Sequence, residues 1–349
     1  MLIADLDFYL CQASTSQGPP VRSLLVRLQS DKGIEGWGES TGVWRSSELV
    51  PRRDVVLPLL ADRNLFDLEE LLLLDVLASA PLRSAVEMAC WDIMGKAVKQ
   101  PLFRLWGGLF RHRIPVMARL AQDSPESAAR LARELVEQGY RTLVVTAAGQ
   151  PQLDASVLRA VRESAGRRTL IWLDGQRRFD RESALTLCAN VEPLGLQGVI
   201  DPLAAGDFIR HQELETATSV RLAVSQLIAG PADVLALARV ARMPQAVVNL
   251  DRLGGLTAVR KCVACAEAAN VPIALGGAAR LGIATAAALH LAAAMPHLST
   301  AQEFGCHVLQ DDVTVERLLS SDGLLSVPQS PGLGIEVDRD KVDELAARD

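Results

Sequence analysis

Three aspartates that follow short apolar runs are the residues of this chain best placed by type and spacing to do chemistry. Asp174 closes TLIWLD, Asp201 closes LQGVID and Asp251 closes AVVNLD. A carboxylate delivered by an apolar strand can ligate a cation or exchange a proton, and it can equally cap the helix that follows. The comparable ends of the neighbouring runs read Thr146, Gln226 and Gly276-Gly277, so neither lysine nor histidine stands among them. The histidines are His112, His211, His290, His297 and His307, none at a predicted strand end, and His290 within AAALHLAAA reads as helix packing. Cys262 and Cys265 have CxxC spacing but lie in a helical run with no second Cys or His pair nearby, which points to packing rather than metal or redox chemistry.

The elements that must position these side chains repeat. Apolar β-type runs begin at Ile114 (IPVMARLA), Thr142, Thr169, Leu196, Arg221, Ala246 and Pro272, 25–28 residues apart, with helical segments between them. Ser124 as N-cap, Pro125 behind it and Gly139 at the end mark one such helix; Gly230-Pro231 open another. Parallel strands buried on both faces must be apolar throughout, as these are, and a possible eighth lies near Ser299 to Phe304. The pattern predicts an α/β fold, a modified TIM barrel of (β/α)7β type over residues 114–315, whose reactive groups sit at the C-terminal ends of the strands. Residues 1–113 read as an α+β capping domain: strand runs Leu2 to Cys11, Ser23 to Gln29 and Ile34 to Glu39, an Asp31-Lys32-Gly33 turn, then helices. Residues 316–349, with the Pro/Gly-rich PGLG, are expected to return to that domain.

Composition removes several functional classes. The 349 residues carry 42 acidic against 36 basic side chains, a net charge of -6, so no basic field is available for a phosphate backbone and nucleic acid is excluded as a partner. Six scattered cysteines in so long a chain read as reduced thiols, no basic leader precedes Asp5 and Asp7, and the apolar runs are too short to cross a bilayer. A cytoplasmic protein with no membrane partner is expected.

Several segments carry a resemblance to a known family. They are GWGES at 36–40, SAVEMACWDIMGKAVKQPLFRLWGG at 84–108, WLDGQ at 172–176, IDPLA at 200–204, NLDRLGGLT at 249–257 and IATAAALHLAAAMP at 283–296. With these, nearly the whole chain resembles the mandelate racemase and muconate lactonizing enzyme branch of the enolase superfamily. The resemblance implies proton abstraction α to a carboxylate, a divalent ion (Mg2+) stabilising the enediolate, a small carboxylic acid as ligand and a homo-oligomer.

Residue by residue, the implied site is incomplete. The Lys-x-Lys slots on the second barrel strand hold Val144 and Thr146, and the sixth-strand slot holds Asn249. The seventh-strand histidine slot is Gly276, and the glutamate slot of the lactonizing and epimerase pattern is Arg280. The three metal-ligand slots hold Asp174, Ile200 and Gln226, which leaves Asp174 as the one surviving ligand position and no cofactor expected. Glu303 matches the family's late glutamate, which hydrogen-bonds the substrate when protonated. Asp201 follows Ile200, so strand alternation turns it from the barrel axis, whereas Asp251 shares the facing of Asn249 and has Arg252 beside it as an ion-pair partner.

Two readings follow. In the first, the chain has lost metal-assisted α-proton abstraction and persists as a non-catalytic or ligand-binding homologue. In the second, a divergent lyase or isomerase acts on a small carboxylic acid through a metal-free site, with Asp251, Arg280 and Glu303 as catalytic groups around Asp174 and Thr146, Gln226 and Asn249 binding substrate; the cationic Arg280 then replaces the metal as electrostatic clamp.

Overall fold

Apolar side chains recur at alternate positions from Leu6 to Leu10, which is the period of a strand buried on one face. In the computed structural model, which describes residues 1–42, 44–121, 124–242, 244–277 and 279–347, this run is β1 (Ile3–Ala13). It pairs antiparallel with β2 (Val21–Ser30), which pairs with β3 (Glu35–Thr41), giving the expected meander. Gly33 takes a positive φ of 73° in the turn between the second and third strands. The meander packs on the helix Ala80–Ala97, and the glycines of GWGES explain how closely: a Cβ on Gly38 would overlap the Ala85 carbonyl oxygen.

The periodic part of the chain forms β4 (Arg113–Leu120), β5 (Thr142–Thr146), β6 (Leu170–Asp174), β7 (Gly198–Ile200), β8 (Leu222–Ala223), β9 (Ala246–Val248), β10 (Ile273–Leu275) and β11 (Gln302–Glu303). All pair in parallel, in the order β11-β4-β5-β6-β7-β8 with β10-β9 beside them. The ring is completed at two seams. A bridge between Val224 and Ala246 joins the β8 and β9 regions, and the Leu275 amide donates to Gln302 Oε1 at 2.6 Å across β10 and β11. This is the modified TIM barrel with an N-terminal cap.

Inside the barrel, Met117, Val144 and Ala274 pack together with Trp172 and Ala301. Side chains two residues further along each strand face the same way. The layer above this plug is therefore Arg119, Thr146, Asp174, Gly276 and Glu303.

After residue 315 the chain first adds β12 (Leu324–Ser326) antiparallel to β4 and only then reaches the meander. Buried Asp92 fastens that return: its Oδ1 accepts from the Leu333 amide (2.9 Å), its Oδ2 from the Trp37 amide (3.0 Å) and Lys96 Nζ (2.6 Å). The helix Gly282–Ala294 is apolar all round and buried along its length, as a helix enclosed by other elements must be. Within it, His290 accepts from the Phe103 amide and lies 2.9 Å from the Leu333 carbonyl, the packing role its sequence context implied. Among the described residues no helix is long and apolar enough to cross a membrane.

Candidate functional site

The layer above the plug is organised by Arg119. Its Nε and Nη2 donate to the two oxygens of Glu303 at 2.5 and 3.0 Å, and its Nη1 donates to Asp174 Oδ2 at 2.8 Å and Thr146 Oγ1 at 3.1 Å. Burial disfavours the guanidinium charge, but Glu303 and Asp174 together outweigh that and hold the pKa above its ordinary value. Gln176 completes the shell of Asp174, donating from its amide to Oδ1 (3.0 Å) and from Nε2 to Oδ2 (2.6 Å). The Gly277 amide lies 3.3 Å from Glu303 Oε2 as a further donor. Gly277 has a φ of 138°, and a Cβ there would overlap Asn249 Nδ2, so this corner of the mouth requires glycine.

Beside this cluster lies a cavity of about 390 Å3 between the meander and the barrel mouth. Asn249, Asp251, Arg280 and Glu303, all singled out from the sequence, line it together with Arg119. Arg280 Nη1 donates to Asp251 Oδ1 at 3.0 Å, and Thr41 Oγ1 donates to Asp251 Oδ2 at 2.5 Å. The partner of Asp251 is thus Arg280 rather than Arg252, because the helical turn Leu250–Leu253 points Arg252 away, toward Gln226 and Ser225. Asn249 Oδ1 caps that turn, accepting from the amides of Asp251 (2.9 Å) and Arg252 (3.2 Å). Pro19, Pro20, Val21 and Val308 supply apolar wall.

Two further titratable groups on the cavity wall were not anticipated. Glu39, at the end of β3, is fully buried and accepts from Ser23 Oγ (2.8 Å) and the amides of Leu281 (2.7 Å) and Ala284 (2.8 Å). Burial pushes its carboxyl up to about 7 against the pull of those donors, and Asp312 adds to the rise. His307 follows the eighth strand, and its Nε2 lies 3.2 Å from both the amide nitrogen and the carbonyl oxygen of Arg119. Burial lowers its pKa and favours the neutral ring.

Other residues singled out from the sequence lie off this cavity. Gln226 does not line the cavity: β8 ends at Ala223, and the side chain lies exposed with its Oε1 accepting from Arg252. Asp201, which takes a φ of 42°, accepts from the Ser225 and Gln226 amides at 2.9 and 2.8 Å and so ties one strand end to the next. Asp174 and Thr146 stand behind Arg119, off the cavity wall. Glu303 presents both its oxygens to the Arg119 guanidinium.

The divalent ion that the resemblance implies does not fit the residues present. Of its three slots, Ile200 is hydrocarbon, Gln226 is turned outward, and Asp174 already accepts from Arg119 and Gln176. Among the described residues, no group of three His, Cys, Asp or Glu side chains is disposed to hold a metal.

Comparison with known proteins agrees with the fold. Residues 127–341 match the enolase C-terminal domain-like family, and residues 12–107 match the mandelate racemase / muconate lactonizing enzyme N-terminal domain. The chain is 30% identical to an N-succinylamino acid racemase of Thermus thermophilus, over 90% of this chain and 87% of that protein. It is 27% identical to a chloromuconate cycloisomerase of Pseudomonas putida, over 89% and 88% of the two chains. The crystal structure of a dipeptide epimerase from Methylococcus capsulatus, complexed with Mg ion, superposes with a TM-score of 0.85 at 26% identity, covering 97% of this chain and all of that one (100%). With both domains matched and the barrel and cap in place, this chain belongs to the mandelate racemase and muconate lactonizing enzyme branch of the enolase superfamily.

Proposed function

We propose that this chain binds a small carboxylic acid at the barrel mouth and has lost metal-assisted α-proton abstraction. The observation that carries the reading is what stands in the four base slots. Val144 is packed into the barrel plug, Thr146 accepts from Arg119, Asn249 caps a helical turn and Gly276 has no side chain. A positioned base contributes about 10²–10⁴-fold, roughly 3–5 kcal/mol of barrier, and a metal ion several more. Without either, the family reaction loses most of its acceleration.

Binding remains supported. The cavity has the size of a small-molecule site, apolar walls, and Arg280 as the cation to orient a ligand carboxylate. Asp251 stands beside it, with its two oxygens accepting from Arg280 and Thr41.

The test is solvent exchange in D2O with a set of α-hydroxy acids, sugar acids and N-acyl amino acids, run alongside thermal shift with the same compounds. The expected result is that every α-proton stays in place while some acids raise the melting temperature. Protein-dependent exchange that survives chelator and vanishes in Asp251→Asn overturns the reading and installs the metal-free lyase or isomerase. Exchange that requires added Mg2+ restores the family mechanism.

A further inference from the structure

We infer that the guanidinium of Arg119 is the resident cation of the barrel mouth, occupying the electrostatic role that a divalent ion would otherwise fill. This deepens the reading just given and rests on it for its functional meaning, although its physical basis is independent of any ligand. Arg119 reaches the site from β4, the first barrel strand, two residues beyond Met117 of the plug, so strand alternation aims it along the barrel axis. From there it joins Glu303 on β11 to Asp174 on β6, carboxylates that lie on opposite sides of it in the sheet order β11-β4-β5-β6.

The contacts are those of a charge-matched fork. A planar guanidinium offers five donors; here one edge meets both oxygens of Glu303, and Nη1 spans Asp174 and Thr146. The side chains of Glu303, Asp174 and Arg119 are 5%, 12% and 24% exposed, so little water is left to screen either carboxylate if the cation is removed. Both carboxylates would then face one small space with unbalanced charge, and any cation able to enter it would relieve them. With Arg119 present that relief is built in, which makes the wild-type protein indifferent to divalent ions.

Thermal unfolding of the full chain in EDTA, in millimolar MgCl2 and in millimolar methylguanidinium chloride tests this. Wild type is expected to melt at the same temperature in all three. Arg119→Met, which keeps much of the shape and removes the charge, is expected to melt several degrees lower and to regain part of the loss with either cation. Arg119→Lys is expected to lie between the two. Should Arg119→Met fail to fold, the double variant Arg119→Met/Glu303→Gln supplies the result, because removing one of the two stranded carboxylates should bring back a folded protein that melts above the single variant.

The inference is overturned if Mg2+ stabilises wild type in a manner abolished by Asp174→Asn. It is equally overturned if Arg119→Met melts with wild type and ignores both cations, or if the double variant is no better than the single. None of these readouts uses a ligand, so a failure here leaves the exchange experiment standing, and α-proton exchange that survives chelator leaves the cation response standing.

Discussion

Asp251→Ala is expected to lower the stability of this chain by about 3–5 kcal/mol, because it strands a buried guanidinium. Asp251 and Arg280 are 6% and 8% exposed, their closest approach is 3.0 Å, and Thr41 donates to the second carboxylate oxygen from the far side. Removing the carboxylate leaves Arg280 without its anion and the Thr41 hydroxyl without its acceptor, and both costs have the same sign. A control shows what is specific to the mouth. Lys261 and Glu69 form an ion pair of similar length, 3.0 Å, but both side chains are more than half exposed, so Lys261→Ala should change stability by less than about 1 kcal/mol. Because the Asp251→Ala cavity presents an unpaired guanidinium, small carboxylates such as acetate should raise its melting temperature more than they raise that of wild type. Urea unfolding of the three proteins checks the stability changes, and thermal unfolding with and without acetate checks the ligand response. An Asp251→Ala protein within about 1 kcal/mol of wild type would show that the pair is not held as the structure describes.

Much of the fold was legible because its cause is periodic. Parallel strands buried on both faces are apolar along most of their length, so seven apolar runs spaced 25–28 residues apart report seven strands, and the strands begin within two residues of those positions. The cap was legible for a related reason: β1 alternates, and the Asp31-Lys32-Gly33 turn needs the positive φ that Gly33 supplies. The site was legible only in part. Asn249, Asp251, Arg280 and Glu303 were singled out, Asp251 from its strand end and the others from the family resemblance, and the four line one cavity. Arg119 was missed although the same rule places it, at the end of the first periodic run; an arginine late in a strand ordinarily reads as a solvent-facing end. His307 lies beyond a strand of only two residues, Gln302–Glu303, where periodicity no longer has anything to count. Gln226 failed for the opposite reason. Spacing assumed a strand as long as its neighbours, whereas β8 stops at Ala223 and releases the chain before Gln226. Asp201 turned its carboxylate to two amides through a left-handed backbone that no spacing rule encodes.

Glu39 was read in the sequence as one letter of a motif, and its consequence is a pH dependence that Glu39→Gln should remove. Its carboxyl is raised from an ordinary 4.5 to about 7 in the folded protein, chiefly because burial disfavours the charge. A carboxyl held higher in the folded than in the unfolded chain contributes stability that is complete below about 4.5 and is lost as pH rises through 7. At 1.36 kcal/mol per unit the full loss is on the order of 3 kcal/mol. Glu87, Asp92, Asp201 and Asp312 are raised by burial too, so the wild-type profile alone does not isolate Glu39. The difference between wild type and Glu39→Gln does: it should fall steadily from pH 4.5 to 7, and a flat difference would sink the assignment. Asp312 supplies part of the rise, so Asp312→Asn should shift the midpoint of that difference toward lower pH. Glu39 also forms cavity wall between the meander and the helix Gly282–Ala294. Its ionisation therefore places a negative charge beside any bound carboxylate, and a ligand found by thermal shift should lose affinity above pH 7 in wild type but hold it in Glu39→Gln, as titration calorimetry at two pH values would read directly.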